Sequence, residues 1–282
     1  MFFWKPAIAV AVLFFSLAAV QAQSNPARSE IVFPLFVMTV PPTLGSGCLC
    51  WGTIFEVLNP HPSATTVQYT VFDSNSVVRG VFSDTIAGYS TRGAAFGDPL
   101  FGGSGSLRVD MVGWVRIAAS QPVVARQRIS RTQAFGNQGI PSVATTLVHL
   151  VKTPPLPTRR EVIRVEYEGY VGGTNTGIAI AFPAPTGGGP VRMKLVFRGV
   201  DRIVAERELT IPANGQIVGF VTELLPEILN FLTFERIGGT LELTFDRDVF
   251  VTAIQVASPT SFSPERMAEP LAGTIPFLIL GQ

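Results

Sequence analysis

The sequence predicts an all-β chain built as two tandem antiparallel β-sandwich domains, with one short helix in the second. Three observations predict it. The first is a period of two: in "VRMKLVF", Val191, Met193, Leu195 and Phe197 point one way while Arg192 and Lys194 point the other. Likewise Ile163, Val165 and Tyr167 alternate with Arg164, Glu166 and Glu168, and Leu241, Leu243 and Phe245 with Thr240, Glu242 and Thr244. Such alternation sets one strand face on a core and the other in water. The second is punctuation by turn formers: Asn59-Pro60, Asp73-Ser74-Asn75, Gly102-Gly103, Gly187-Gly188-Gly189 and Asn214-Gly215. The third is that one pattern is written twice. "VQYTVFDSNSVVR", "TIAGYSTRGAAFG" and "GWVRIAASQPVVARQRI" have counterparts in "VRMKLVFRGVDRIVA", "TIPANGQIVGFVT" and "GTLELTFDRDVFVTAIQ". Phe72 to Phe197, Thr85 to Thr210 and Gly113 to Gly239 are separated by 125, 125 and 126 residues. So constant a spacing implies a repeated unit the size of a compact domain.

Taken in chain order, residues 1–22 read as an export signal. Met1 to Lys5 is a short basic start, Pro6 to Val20 is almost wholly apolar, and Val20-Gln21-Ala22 offers the small residues a signal peptidase needs. The apolar run is shorter than a bilayer span of roughly 20 residues. Residues 23–145 form the first sandwich. Residues 146–160, with Pro154-Pro155 and Pro157, read as an extended, stiff linker. Residues 161–282 form the second sandwich. Within it, "FVTELLPEIL" (220–229) is the helical exception: Thr222 can cap a short helix, Glu223 falls in its first turn, and Pro226 limits it to a turn or two. It is expected to plug the sandwich end. The apolar tail 273–282 is expected to be a docked strand or, if exposed, one that joins a partner's sheet edge.

Charge narrows the function. Of 282 residues only 15% are charged, and 21 basic residues face 20 acidic ones. Without Lys5 the balance is zero. No field of one sign is available to gather nucleic acid or an anionic membrane, so neither is an expected partner.

Several pieces resemble the uncharacterised sandwich repeats, immunoglobulin-like or fibronectin-like, of secreted bacterial proteins. They are Leu58-Asn59-Pro60, Gly113-Trp114-Val115-Arg116, Thr210 to Gly215 and Glu223-Leu224-Leu225-Pro226. The resemblance implies an Ig-like fold and an exported setting, and brings no catalytic residue or cofactor.

The candidate sites are few. Cys48 and Cys50 are the only cysteines, one residue apart. Same-face neighbours on a strand lie about 7 Å apart, too far for easy bridging, so a local disulfide needs a turn at Gly45 to Gly47, and two free thiols are the alternative. A Cys-Cys-His zinc trio with His61 would lack a fourth ligand. The second half has no cysteine at this place, which marks the pair as a local embellishment. "GYSTRG" (88–93) is one residue too long for a nucleophile elbow and aligns with "PANGQ", so it reads as a turn. His149 sits in an apolar run and reads as structural. Glu166 with Glu168, and Asp246 with Asp248, offer too few oxygens for a calcium loop. Arg116, Arg126 and Arg128 form a possible ligand-contact patch, with Arg116 on an adjoining strand; the plainer reading is a sheet face balanced by Asp110 and Glu56. Ser120-Gln121-Pro122 reads as a hairpin turn.

The function expected is a non-catalytic exported protein, an extracellular or cell-surface adhesive module that meets a protein or glycan through its sandwich edges and the loops 41–50, 98–106 and 184–190. A carbohydrate-binding module is the alternative, with Trp51, Trp114 and Tyr89 as candidate stacking aromatics. A two-domain periplasmic chaperone is the third. No metal and no cofactor is expected.

Overall fold

The computed structural model describes residues 26–38, 48–95, 111–135, 142–150, 154–168, 174–184, 188–199, 202–231 and 236–257. The export signal at 1–22 and the tail at 273–282 lie outside the described residues, as do the loops 41–47 and 98–106. The chain is all-β and antiparallel. Its strands are β1 (Arg28–Met38), β2 (Cys48–Leu58), β3 (Thr65–Asp73), β4 (Val78–Ile86), β5 (Thr91–Ala95), β6 (Met111–Phe135) and β7 (Ser142–Leu150) in the first half. The second half holds β8 (Pro157–Glu168), β9 (Thr174–Ala181), β10 (Val191–Arg198), β11 (Ile203–Ile211), β12 (Gln216–Phe220) and β13 (Arg236–Ala257).

The same pairings occur in both halves. The front of β6 pairs with β1 and β3, its rear with β2, and β4 and β5 complete the edges on β3 and β2. The front of β13 pairs with β8 and β10, its rear with β9, and β11 and β12 complete the edges. Each half therefore curls two sheets around one long strand that belongs to both. The hairpin expected at Ser120-Gln121-Pro122 is a bend within β6, and Asp246-Arg247-Asp248 is the matching bend within β13. Polar residues suit a corner because the strand changes partners there and neighbouring backbone must be satisfied from side chains. Ser120 Oγ accepts the Thr66 N–H at 3.0 Å, and Asp246 Oδ1 accepts the Arg192 N–H at 2.9 Å. Bulges recur too, between Val71 and Phe72 and between Phe197 and Arg198.

Each half encloses its own core. In the first, Phe33, Phe36, Phe55, Tyr69, Val115 and Ile117 are buried together; in the second, Ile163, Ile178, Leu195, Phe197, Leu241 and Leu243. Between the halves lies a further apolar layer. Leu35, Val37, Val112 and Ile129 meet Ala179, Ile254 and Val256, while Val32 and Trp114 meet Ala181. This explains "IVFPLFVM": Ile31 to Met38 is buried throughout, because β1 turns one face to its own core and the other to the second half. A strand buried on both faces loses its alternation. Gln216, itself buried, donates from Nε2 to the carbonyls of Pro34 at 2.6 Å and Gly113 at 2.8 Å, across the same layer. The stretch expected as a linker is strand at both ends: β7 runs to Leu150 and pairs with β6 and β13, and β8 starts at Pro157. Pro154 and Pro155 between them are buried.

The helical exception is α1 (Val221–Leu224), followed by a 3-10 turn at Pro226–Phe231. Its N-cap is Phe220, two residues before the Thr222 expected. Glu223 Oε2 accepts the Phe220 N–H at 2.9 Å, so a carboxylate in the first turn does the capping. Val221, Leu225 and Ile228 are wholly buried in the second core.

Candidate functional site

One exposed candidate surface is the outer face of β2, β5 and the rear of β6. Alternation on β2 buries Thr53, Phe55 and Val57 and turns Ile54, Glu56 and Leu58 outward. Opposite them on β6 stand Arg128, Arg126 and Val124, and on β5 Gly93 faces Glu56 and Thr91 faces Leu58. Arg126 Nε donates to Glu56 Oε2. The guanidinium is 72% exposed, so the pair contributes at most a fraction of a kcal/mol (about 0.2–1) and does not immobilise the face. Arg128 is exposed beside Ile54. Arg116 belongs to the same strand, not an adjoining one. The bend places it in the other sheet, where it grips Glu30 with Nε–Oε1 at 3.0 Å and Nη2–Oε2 at 3.1 Å. Asp110, the expected counter-charge, lies outside the described residues.

Cys48 and Cys50 enter β2, their backbones opposite Ala134 and Thr132. His149 lies on β7 opposite Gln255. The side chains of these three and of Trp51 lie outside the described residues. His61 Nε2 meets the Pro122 carbonyl at 2.8 Å.

"LNP" carries a turn signal and, in the structure, a buried hub as well. Asn59 is fully buried; its Nδ2 donates to the carbonyls of Ser63, Ala87 and Ile86 at 2.8, 3.1 and 3.2 Å, and its Oδ1 accepts the His61 N–H at 3.0 Å. One side chain thus ties the β2–β3 connection to the β4–β5 turn. In that turn Tyr89 has φ 54°, and in the corresponding turn of the second half Asn214 has φ 57°. Ser90 Oγ donates to the Ala87 carbonyl at 2.7 Å, which occupies it structurally within "GYSTRG". Asn at a left-handed position is a signal a reader can use; a tyrosine there is not.

The carboxylate pairs are divided among local partners. Glu166 meets Arg164 at 2.6 Å and Glu168 meets Arg236 at 3.4 Å; Asp246 caps Arg192, and Asp248 meets Arg159 at 2.7 Å. Among the described residues no group of three or more His, Cys, Asp or Glu side chains is placed to hold a metal. An open groove of about 560 Å³ runs over β10, β11 and β13, where Arg192 and Lys194 balance Glu208 and Asp246.

Of the aromatics considered for sugar stacking, Trp114 is fully buried, its ring 3.8 Å from that of Phe72 and parallel to it. Tyr89 is exposed. Among the described residues two titrations are shifted. Burial pushes the Tyr69 hydroxyl above the usual tyrosine range, with Asp84 adding to the effect. Burial also raises the Glu223 carboxyl, against the Phe220 N–H that lowers it.

No family model matches the chain, and no curated protein matches it. Among solved structures it is similar to the Anabaena sensory rhodopsin transducer, at 18% identity over 36% of this chain and 81% of that one, with a TM-score of 0.27. It is similar to Thermotoga maritima 1070 at 13% identity, 43% and 92% coverage and a TM-score of 0.29. It is also similar to the infectious bursal disease virus Gx strain structure, at 9% identity, 86% and 69% coverage and a TM-score of 0.19. Overlays this loose carry neither an activity nor a partner to this chain.

Proposed function

We propose that the chain is an exported, non-catalytic binding module, a tandem duplication of one Ig-like unit that presents strand edges and loops to a protein or glycan at a cell surface. The observation that carries this reading is the edge strand β4. Among the described residues it pairs with β3 alone, and it holds Val78 and Val81 in solvent at 51% and 55% exposure. An edge with unpaired backbone groups and apolar side chains is suited to accept an added strand. A non-catalytic role fits the fate of the polar residues. Asn59, Ser90, Ser120 and Asp246 are each spent on backbone groups, as a scaffold requires and a reaction centre does not.

The test has two parts. N-terminal sequencing of the mature protein from its native host is expected to begin at Gln23; an uncleaved Met1 start contradicts export by this signal. Binding of the 23–282 fragment is then measured on a glycan array and on immobilised surface proteins, with Val81→Lys as the edge control. Retention on a defined protein, lost in Val81→Lys, supports the proposal. Retention on sugars alone moves the chain to the carbohydrate-binding reading, and turnover of an ester, peptide or glycoside substrate sinks the non-catalytic one.

A further inference from the structure

The layer between the halves joins two unlike surfaces: the outer face of the β1–β6 sheet in the first half, and the outer face of the β9–β12–β13 sheet in the second. Since both halves have the same pairings, each surface has a second version. The strand register identifies it residue by residue. On the docked side of the second half, Ala179 faces Thr252, Ala181 faces Phe250 and Gly177 faces Ile254. In the first half the same places are taken by Glu56 facing Arg126, Leu58 facing Val124 and Ile54 facing Arg128. That is the exposed face described above. Val218 and Gln216 of β12 likewise become Gly93 and Thr91 of β5. Adding a Cβ at Gly93 would meet nothing within 4 Å, so this face is open.

The other surface also recurs uncovered. Val37 faces Val112 in the first half, and Glu166 faces Gly238 in the second; Val32 faces Arg116, and Val162 faces Glu242. Phe72 faces Trp114, and Arg198 faces Thr240. Arg164, also opposite Thr240, stands where β1 bulges at Pro34-Leu35. Val162 is 54% exposed, and the Arg164 side chain 80%.

Equating the halves by strand register matches these two open faces to the two that meet inside the chain. The cluster gathering Leu35 and Val37 with Ala179 and Ile254 becomes one gathering Arg164 and Glu166 with Glu56 and Arg128. The cluster gathering Val32 with Ala181 becomes Val162 against Leu58 and Val124. Arg164 with Glu166 on one side, and Glu56 with Arg126 and Arg128 on the other, replace an apolar contact, so each face brings both signs to it. We infer that the chain stacks head to tail with a second copy, the β8–β10–β13 face of one copy docking on the β2–β5–β6 face of the next. Such a contact is heterologous, so it repeats from copy to copy, as a ring where the rotation closes and as an open row where it does not. The inference goes beyond the adhesive reading and needs neither export nor an outside partner. The polar character of both faces suits copies that stay soluble alone and assemble when concentrated.

The experiment is sedimentation velocity on the purified chain across a concentration series at low and at 0.5 M salt. Concentration-dependent growth that weakens with salt is expected; a monomer at every concentration overturns the inference. Arg128→Glu and Glu166→Arg, each on an exposed side chain, are expected to weaken assembly about tenfold or more, while the double variant regains it. Assembly unaffected by either single variant, or lost and not regained in the double, also overturns it. Circular dichroism of each variant verifies that the fold is retained. Because no outside ligand is involved, failure here leaves the surface-binding test untouched, and the converse holds.

Discussion

Thr53 and Thr176 hold the same place in the two halves and make the same pair of hydrogen bonds. Thr53 Oγ1 accepts the Val37 N–H and donates to the Val37 carbonyl, both at 2.9 Å. Thr176 Oγ1 accepts the Glu166 N–H at 2.9 Å and donates to the Glu166 carbonyl at 3.0 Å. Each hydroxyl replaces a missing ladder partner where one sheet passes the next, and each threonine is buried. Thr53→Val and Thr176→Val keep the shape and strand both backbone groups. Each is expected to cost about 1–3 kcal/mol, measured by urea denaturation, with the first the larger because Val37 is buried and Glu166 is partly exposed.

Gly113 is needed for close approach. A Cβ there would lie 1.9 Å from the Phe72 carbonyl oxygen and 2.7 Å from the Phe36 ring. Backbone cannot yield as a flexible side chain can, so Gly113→Ala is expected to destabilise the chain by about 2 kcal/mol or more. Gly93→Ala, with open space around it, is the control. It is expected to be neutral or to stabilise by a few tenths, up to about 1 kcal/mol. Thermal melts of the two variants against the parent separate these outcomes.

Tyr69 makes stability fall in alkali. Its folded-state pKa is raised, so the unfolded chain releases this proton at a lower pH than the folded chain does. Above the ordinary tyrosine pKa of about 10 the unfolded state binds fewer protons, and stability decreases as pH rises. Tyr69→Phe is expected to flatten the loss between about pH 10 and 11.5, read from denaturation midpoints. An equal slope in both proteins would show that the buried hydroxyl does not set it.

Alternation made β8, β10 and the front of β13 readable in advance, because each has one wet face and one dry one. The left-handed turn at Asn214-Gly215 was readable from residue type. The bend at Ser120 to Pro122 looked like a hairpin, since polar residues and a proline signal a break in a strand without saying whether the chain reverses. For the same reason Arg116 reads, from sequence, as part of an adjoining strand. What stayed hidden was the contact between halves. "IVFPLFVM" carries the signal, an apolar run with no polar face, but a run of that kind names no partner. Gln216 gave still less, since a lone glutamine after a turn looks solvated. The exposed Arg126 and Arg128 were visible as residues. That they occupy a docking position becomes apparent only from the strand register, which sequence spacing alone does not give.

The most direct measurement of the central claim, that β1 locks the two halves into one body, follows the first half while the second is perturbed. All three tryptophans, at positions 4, 51 and 114, precede the second half, so tryptophan fluorescence reports on the first alone. Gln216 lies in the second half, and its side-chain amide donates to Pro34 and Gly113 of the first. In Gln216→Leu the fluorescence-detected urea midpoint is expected to fall by the equivalent of about 1–3 kcal/mol, in step with the midpoint from far-ultraviolet circular dichroism. A fluorescence transition unmoved by Gln216→Leu and separate from the circular dichroism transition would contradict the account.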